Sequence, residues 1–305
     1  MSSRDKLTEL KAPHTVDLNP LGICNLRCPF CWGPAHDMVP QLTLQDWRNV
    51  ITSLAKHGTR SIIFTGGEPL MYGYISDIVS HAKELQLRNT ISTNGILLPL
   101  KGAKILPHID EIGIPLDGSD EVSNNQLRIS LGRINHFEKA INALHYLKTQ
   151  KYNPNIQITV RTVVCDLNKH CVEQIGNIIV AMKLDNIRWK LYQFTPLSYG
   201  ASVQSTYALN SDTFTDVVNR VRKCYPQLEI DALETSNQTG RYAFIQPDGE
   251  VTTIDSQLHS VSVGNIISDF SRTLTKLNGY VDPLRNQKHG VDGKSNAETR
   301  SPVVN

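Results

Sequence analysis

The most informative segment of the chain is Cys24-Asn25-Leu26-Arg27-Cys28-Pro29-Phe30-Cys31, which places three cysteines in one short loop. Thiolates are soft ligands that suit iron–sulfur clusters and zinc. A [4Fe–4S] cluster held entirely by protein takes four cysteines, so a loop with three would leave one iron open to a substrate or cofactor. Zinc is the alternative, with His36 as a fourth ligand, although tetrahedral zinc favours paired ligands set apart in sequence.

Composition and charge describe an ordinary globular chain. It has 305 residues, of which 40% are hydrophobic and 20% charged, and its net charge is +2. That is enough for one large α/β barrel or two smaller domains, and it indicates no nucleic-acid or membrane partner. Residues 1–13 are polar and lack the apolar segment of a secretory signal. We therefore expect a cytoplasmic protein whose clustered cysteines are metal ligands or redox groups and not disulfides.

Strands and helices alternate along residues 14–224. The predicted strands, rich in β-branched residues, are 14–18, 60–64, 90–92, 112–116, 156–164 and 187–194. The predicted helices, with apolar residues at helical spacing, are 44–56, 75–85, 134–149, 171–182 and 214–224. This repeated alternation predicts an α/β fold with a parallel sheet. Nearly all candidate functional residues follow a strand, where the loops of such sheets form binding sites.

The pattern changes after residue 224. Residues 242–246 and 250–254 flank Pro247-Asp248-Gly249 and predict a β-hairpin. Residues 284–305 are polar with few apolar positions, and we expect a mobile tail there. The predicted organisation is an N-terminal segment at 1–13, a core at 14–224, an extension at 225–283 and the tail at 284–305.

Glycine-containing turns accompany the cysteine loop. Phe64-Thr65-Gly66-Gly67-Glu68-Pro69 follows the second predicted strand, and paired glycines permit positive φ and close approach to a ligand. Ser92-Thr93-Asn94-Gly95 follows the third strand, and Leu116-Asp117-Gly118 follows the fourth. Each could be an ordinary turn, but their positions after successive strands place them at the same edge of the sheet as the cysteines.

These motifs, in this order, resemble the radical S-adenosylmethionine (SAM) superfamily, and the resemblance covers residues 14–195. It implies a partial (β/α)₆ barrel, followed here by the hairpin extension. It also implies that Cys24, Cys28 and Cys31 ligate one [4Fe–4S] cluster whose fourth iron is chelated by SAM. The implied SAM contacts are Phe30, Gly66, Gly67, Glu68, Ser92, Asn94, Asp117 and Arg128. Pro115 stands where relatives have a serine before Leu-Asp-Gly.

The resemblance implies a reaction as well. The reduced cluster passes an electron to SAM, and the 5′-deoxyadenosyl radical so formed removes a hydrogen from the substrate. A largely closed barrel keeps so reactive a radical from water, and a reduced flavodoxin or ferredoxin would supply the electron. Cys165, Cys171 and Cys224 form no Cys-x₂-Cys pair, and no cysteine follows them, so a single cluster is expected.

The sixth predicted strand carries polar residues that bear on the substrate. Alternation places Arg188 and Lys190 on one face of the strand, and Gln193 follows them. If that face lines the barrel, two buried cations require an anion. The anion is either a phosphate or carboxylate of the substrate or an acidic side chain of the barrel wall.

A narrower resemblance concerns the viperins, radical SAM enzymes that dehydrate nucleoside triphosphates to 3′-deoxy-3′,4′-didehydro products. Residues 135–137, 188–193 and 236–242 carry it. The candidates for substrate contact are Arg161, Arg188, Lys190, Gln193 and Tyr242. Thr159 stands where viperins have a phosphate-binding lysine. The alternatives are radical SAM modification of a peptide or another small molecule, and a non-catalytic scaffold stabilised by zinc.

Overall fold

The computed structural model describes residues 10–33, 41–150 and 155–291. Residues 1–9, His36 and the part of the predicted tail beyond residue 291 lie outside the described residues. The strands are β1 (Thr15–Leu18), β2 (Ser61–Phe64), β3 (Arg88–Ser92), β4 (Glu111–Pro115), β5 (Gln157–Val164), β6 (Ile187–Gln193), β7 (Glu229–Leu233), β8 (Phe244–Ile245), β9 (Glu250–Ile254) and β10 (Ser260–Asn265). The helices are α1 (Leu44–Lys56), α2 (Ile75–Glu84), α3 (Leu98–Ile105), α4 (Glu121–Asn125), α5 (His136–Thr149), α6 (Val172–Met182), α7 (Gln204–Tyr207), α8 (Ser211–Cys224), α9 (Phe270–Leu277) and α10 (Pro283–Val291).

Strands β1 to β7 lie parallel and in chain order, with helices in every connection between them. The fold is therefore a partial α/β barrel, as the alternation of strands and helices predicts. Strand β7 was not predicted, because Glu229–Leu233 is short and carries two acidic residues in place of an apolar run. Beyond β6, the parallel sheet thus continues for one more strand than expected.

Helix α1 shows how the local sequence specifies these elements. The Thr43 hydroxyl accepts a hydrogen bond from Asp46 N–H at 3.2 Å, and the Asp46 carboxylate accepts one from Thr43 N–H at 3.0 Å. This reciprocal pair is a capping box, which fixes the start of the helix. The apolar residues that the helix buries on one face are Trp47, Val50, Ile51 and Leu54. Across the described helices, none combines the length and the apolar character that a bilayer crossing demands.

The parallel strands separate the hydrophobic core from the barrel interior. Along β6, Trp189 and Leu191 pack in the core, whereas Lys190 and Tyr192 face the interior cavity. Strands β1, β2 and β4 are buried along their whole length, as expected of parallel strands covered on both faces. The side chains that face inward are therefore available to a site within the barrel.

The predicted hairpin is present and belongs to the same sheet as the barrel. Strands β8 and β9 pair antiparallel around Gly249, which has a φ of +84°. Strand β8 also pairs in parallel with β1, and β10 adds an antiparallel strand beyond β9. The extension thus continues the barrel wall on the β1 side and places its first strand beside the cysteine loop.

A mobile tail was expected from residue 284 onward, but the structure forms helix α10 over Pro283–Val291. Asn286 is fully buried; it accepts a hydrogen bond from Thr15 N–H at 2.9 Å and donates to Thr15 O at 2.8 Å and Arg241 O at 3.0 Å. A Cβ on Gly290 would lie 2.2 Å from Thr15 Oγ1. The helix packs at the amino ends of β1 and β2 through polar side chains and close backbone approach, which polar composition does not reveal.

Candidate functional site

Most of the residues predicted to form a site meet in one cavity inside the barrel. The cavity has a volume of about 350 Å³, within the range of small-molecule sites. The predicted residues that line it are Cys24, Cys28, Phe30, Cys31, Gly66, Gly67, Glu68, Ser92, Asn94, Arg128, Arg161, Lys190, Gln193 and Tyr242. Two predicted residues of the described part, Asp117 and Arg188, are not in the lining.

The cysteine loop follows β1 and is fixed by the segment after α4. Arg27 N–H donates to Ile129 O at 2.7 Å, which ties the middle of the loop to that segment. Cys31 N–H donates to Cys28 O at 3.1 Å and closes a turn between the two cysteines. The backbone therefore presents all three cysteines to the same cavity.

The environment of the three thiols favours the protonated form when no metal is bound. Burial raises the pKa of Cys24 to about 11 and that of Cys28 to about 12, and it raises the pKa of Cys31 as well. The Cys24 sulfur accepts a hydrogen bond from Leu26 N–H at 3.3 Å, and Arg128 Nη1 lies 3.8 Å from the Cys28 sulfur. A bound metal lowers the pKa of its thiol ligands and would convert these groups to thiolates.

The donor chemistry of the loop suits an iron–sulfur cluster. Each cysteine of a cubane cluster can bind a different iron, so the sulfurs surround a space and need not converge on one point. Within the described residues, no three His, Cys, Asp or Glu side chains form a group that could hold a single metal ion. His36, the fourth ligand of the zinc alternative, is outside those residues.

The paired glycines hold the cysteine loop in place. Gly66 has a φ of +116°, and a Cβ there would lie 2.6 Å from Leu21 O. A Cβ on Gly67 would lie 2.1 Å from Ile23 O. Gly67 N–H donates to Leu21 O at 2.8 Å and Glu68 N–H donates to Ile23 O at 2.9 Å. The sequence predicts that these glycines closely approach a ligand. In the structure they closely approach the backbone that leads into the cysteines.

Glu68 is a buried carboxylate that joins two of the predicted motifs. Its Oε1 accepts from the Thr93 hydroxyl at 2.6 Å and from Leu70 N–H at 2.9 Å, and its Oε2 accepts from Asn94 N–H at 2.8 Å. Burial raises the pKa of Glu68 to about 6, although these hydrogen bonds lower it. The Gly-Gly-Glu-Pro and Ser-Thr-Asn-Gly segments are therefore fixed to each other through one side chain.

Ser92 and Asn94 lie at different depths of the cavity. The Ser92 hydroxyl accepts a hydrogen bond from Arg161 Nη1 at 2.7 Å. The Asn94 amide donates to Asn25 Oδ1 at 2.6 Å and lies 3.8 Å from the Cys24 sulfur. Asn94 thus stands beside the cysteine loop, whereas Ser92 belongs to the deeper wall of the barrel.

His136 contacts Asn94, an interaction that the sequence did not predict. Its Nε2 lies 3.1 Å from Asn94 O, an acceptor, and its Nδ1 lies 3.0 Å from the Asn124 amide nitrogen, a donor. Burial, together with the charge of Arg128, lowers the pKa of His136 to about 3, so the ring is neutral near pH 7. Its position just inside the predicted helix gave no signal of this contact.

Asp117 acts on the cavity through Arg128, with which it forms a buried ion pair. Although burial alone would lower it, the charge of Asp117 raises the pKa of Arg128 above its ordinary value. The guanidinium carbon of Arg128 lies 4.8 Å from the centre of the Phe30 ring, a cation–π distance. Asp117 also accepts from Val163 N–H at 2.7 Å. Asp117 does not line the cavity itself, and its direct contact with SAM stays a prediction.

Arg188 is the second predicted site residue that lies outside the lining of the cavity. Its Nη2 lies 3.1 Å from Glu229 Oε1, and its Nε lies 3.5 Å from Asp231 Oδ2. Both acids belong to β7, the strand that was not predicted. The barrel wall therefore supplies an anion for Arg188, which is one of the two alternatives that the sequence left open, and contact between Arg188 and a substrate stays a prediction.

Gln193 and Tyr242 line the cavity with side chains that are hydrogen-bonded to the protein. The Gln193 amide donates to Leu209 O at 2.7 Å and accepts from Thr235 N–H at 2.9 Å. The Tyr242 hydroxyl donates to Gln238 Oε1 at 2.5 Å. Gln193 thus fixes the end of β6, and Tyr242 presents mainly its ring to the cavity.

Trp32 directly follows the last cysteine of the loop and contacts residues after β6 and before β8. The sequence did not identify it as a site residue. Its indole N–H donates to Thr195 O at 3.3 Å, just beyond β6. Its ring meets Tyr242 edge-on with 5.5 Å between centres, and Tyr242 stacks on Phe244 at 5.3 Å. These three rings form an aromatic part of the cavity lining.

The inner end of the cavity, which we call the floor, consists of Asp17, Glu111, Arg161, Lys190 and His289. His289 Nε2 lies 2.9 Å from Asp17 Oδ2, and Arg161 Nη2 lies 3.8 Å from Glu111 Oε1. Sequence reasoning found Arg161 and Lys190 but missed the other three. Asp17 and Glu111 are single acids in buried strands, and His289 lies in the segment expected to be mobile.

The fold and the cavity define a class of protein: a partial α/β barrel whose three-cysteine loop and glycine-rich turns share one interior cavity. A sequence model described as the Radical SAM superfamily matches residues 18–177, which is more than half of the chain. The chain belongs to the radical SAM superfamily. That family implies a [4Fe–4S] cluster and SAM as cofactors.

Individual relatives carry different names. An S-adenosylmethionine-dependent nucleotide dehydratase of Selenomonas ruminantium is 26% identical over 84% of this chain and 91% of its own length. An Fe-coproporphyrin III synthase of Methanosarcina barkeri is 31% identical over 45% of this chain and 34% of its own length. The crystal structure of Streptococcus suis SuiB bound to S-adenosylmethionine superposes with a TM-score of 0.70 at 15% identity, over 92% of this chain and 68% of SuiB. SuiB shares the fold of this chain, and the names of the two sequence relatives indicate more than one reaction.

Proposed function

We propose that Cys24, Cys28 and Cys31 bind one [4Fe–4S] cluster and that SAM binds beside it in the same cavity. The observation that carries the proposal is that the three cysteines share this cavity with the Gly-Gly-Glu-Pro and Ser-Thr-Asn-Gly segments. Three thiol ligands leave one iron of the cluster for a ligand that completes its coordination.

The residues around the cysteines suit the charges of SAM. Glu68 offers a carboxylate for the ammonium group, and Arg128 offers a guanidinium for the carboxylate of SAM. Phe30 lies under Arg128 and 6.3 Å from Tyr207, so apolar rings cover this part of the cavity. When bound, the cluster and SAM supply a 5′-deoxyadenosyl radical that abstracts hydrogen, and these rings keep water away from that chemistry.

The proposed substrate is an anionic small molecule, with a nucleotide as the first candidate and dehydration as the reaction. Arg161 and Lys190 line the cavity as cations, and Tyr242 contributes an aromatic surface. A relative that matches over 91% of its own length is named a nucleotide dehydratase. A reduced flavodoxin or ferredoxin is the proposed electron donor.

Release of 5′-deoxyadenosine from SAM tests this proposal. Anaerobically reconstituted protein is incubated with SAM and dithionite, and ribonucleotides are compared with a panel of peptides as stimulants. Release that rises with a nucleotide and not with peptides supports the proposed substrate. Stimulation by peptides alone would favour the peptide-modifying alternative, and the absence of any release from iron-loaded protein would overturn the enzymatic proposal.

A further inference from the structure

The floor of the cavity contains two buried carboxylates that the proposed reaction does not use. The side chains of Asp17 and Glu111 are each 5% exposed, and both line the cavity beside the candidate substrate cations. Carboxylates in such a position repel any anion that enters, because charges interact strongly away from bulk water. The groups that pair with Asp17 and Glu111 determine how much positive charge is left to bind an anionic substrate.

Glu111 is held between the cations that would bind an anionic substrate. Its Oε1 accepts from the Thr159 hydroxyl at 2.9 Å and lies 3.8 Å from Arg161 Nη2. Its Oε2 accepts from Arg88 Nη2 at 3.0 Å. Although burial alone would raise it, the pKa of Glu111 lies below its ordinary value because Lys190, Arg161, Thr159 and Arg88 favour the ionised form. Glu111 is therefore a permanent negative charge beside Arg161 and Lys190.

Asp17 carries the second negative charge of the floor and is paired with His289 of α10. His289 Nε2 lies 3.0 Å from Asp17 Oδ1 and 2.9 Å from Oδ2, and the imidazole ring meets Tyr242 edge-on at 4.6 Å. Helix α10 is fixed there by Asn286 and by Arg88 Nε, which donates to the carbonyl of Gly290 at 3.1 Å. His289 therefore holds the Asp17 carboxylate in place at the end of the cavity.

The lining of the floor thus contains two acids, two basic side chains and one imidazole, and a third basic side chain, Arg88, pairs with Glu111 from outside the lining. A terminal phosphate carries about two negative charges near neutral pH, and each inner phosphate of a triphosphate adds another. Burying that charge beside two carboxylates is unfavourable, because the cations present are already shared with the acids.

We propose that Asp17 and Glu111 are specificity-determining residues that restrict the substrate to one short anionic group, such as a single phosphate. The inference rests on the proposed function and narrows the proposed substrate from nucleotides in general to nucleotides with a single phosphate. A nucleoside monophosphate fits a floor of this charge, and a nucleoside triphosphate is rejected.

Binding of inorganic tripolyphosphate tests the charge of the floor without any turnover. Calorimetry on cluster-loaded protein compares the wild type with Glu111→Gln and Asp17→Asn, and with Glu84→Gln as a matched control at an exposed site. We expect each floor variant that folds to bind tripolyphosphate about tenfold more tightly than the wild type, the effect of removing one like charge from a partly buried site. The control should match the wild type. Unchanged affinity in both floor variants would overturn the inference.

A second measurement separates this inference from the proposed function. Release of 5′-deoxyadenosine is measured with ribonucleoside 5′-monophosphates and the corresponding triphosphates. Stronger stimulation by a monophosphate supports the inference, whereas equal or stronger stimulation by a triphosphate contradicts it and leaves the nucleotide proposal intact. If neither stimulates, the nucleotide proposal fails, and tripolyphosphate binding still decides the role of the two acids.

Discussion

Burial favours the uncharged form of each ionisable side chain around the cavity, unless an oppositely charged neighbour stabilises the charged form. Burial keeps the Cys28 thiol protonated in the metal-free protein, with a pKa of about 12. Glu111 behaves in the opposite way because cations surround it, and it remains ionised. The neighbours of each group, more than its residue type, therefore determine what it can bind.

The Cys28→Ala variant tests the proposed ligand role at this scale. We expect it to lose SAM cleavage and most of its bound iron, because two cysteines hold a cubane poorly. Circular dichroism should remain that of the wild type, since the loop lies outside the main hydrophobic core. Cys224→Ala removes an exposed thiol and serves as the control. Undiminished cleavage in Cys28→Ala would contradict the ligand assignment.

The buried His136 predicts a dependence of stability on pH. The pKa in the folded state is about 3, against 6.5 for an ordinary histidine, so the unfolded chain takes up the proton first as the pH falls. The free energy of unfolding should therefore decrease by about 1.4 kcal/mol for each pH unit below 6.5, until pH 3 is approached. Urea titrations of the metal-free protein measure this. The contribution should disappear in His136→Gln and persist in His145→Gln, an exposed position on the same helix.

At the scale of elements, the loops after the strands are fixed to one another before any cofactor binds. Gly66 and Gly67 contact the backbone that leads into the cysteines, and Glu68 joins that turn to the loop after β3. Helix α10 closes the other end of the barrel through Asn286. The cavity is therefore built by contacts between loops at one end and by a C-terminal helix at the other.

Gly67→Ala should displace the cysteine loop. Its new Cβ would lie 2.1 Å from Ile23 O, so the backbone leading into Cys24 must move. We expect the variant to keep its secondary structure and to incorporate less iron on reconstitution. Gly73→Ala, in the same connection between β2 and α2, has no atom within 4 Å of its Cβ and should incorporate iron normally. Equal iron content in the two variants would contradict this account of the glycine pair.

Asn286→Ala should destabilise the protein. The change removes three buried hydrogen bonds to Thr15 and Arg241 and leaves buried backbone groups unsatisfied, at a cost of about 2 to 4 kcal/mol in the free energy of unfolding. Gln287→Ala alters the exposed neighbour on the same helix and should have little effect. Denaturant midpoints compare the two variants, and similar midpoints would show that α10 does not support the barrel.

The sequence predicts those elements whose signals are local. Apolar runs predict β1 to β6 and the helices α1, α2, α5, α6 and α8, but not α3 between β3 and β4. The spacing of Cys24, Cys28 and Cys31 predicts one shared site. Strand β7 and helix α10 were missed or misjudged because their stability comes from ion pairs and buried polar contacts to distant strands. Asp17, Glu111 and His289 were missed for the same reason, since only the fold brings them together.

For the whole molecule, the central claim is that the barrel holds one [4Fe–4S] cluster whose fourth iron is free to bind SAM. Electron paramagnetic resonance of the anaerobically reconstituted, dithionite-reduced protein, recorded with and without SAM, tests it most directly. We predict about four irons per chain and a cluster signal whose g-values shift when SAM is added. A protein that binds zinc and no iron, or a cluster signal that SAM leaves unchanged, would contradict the claim.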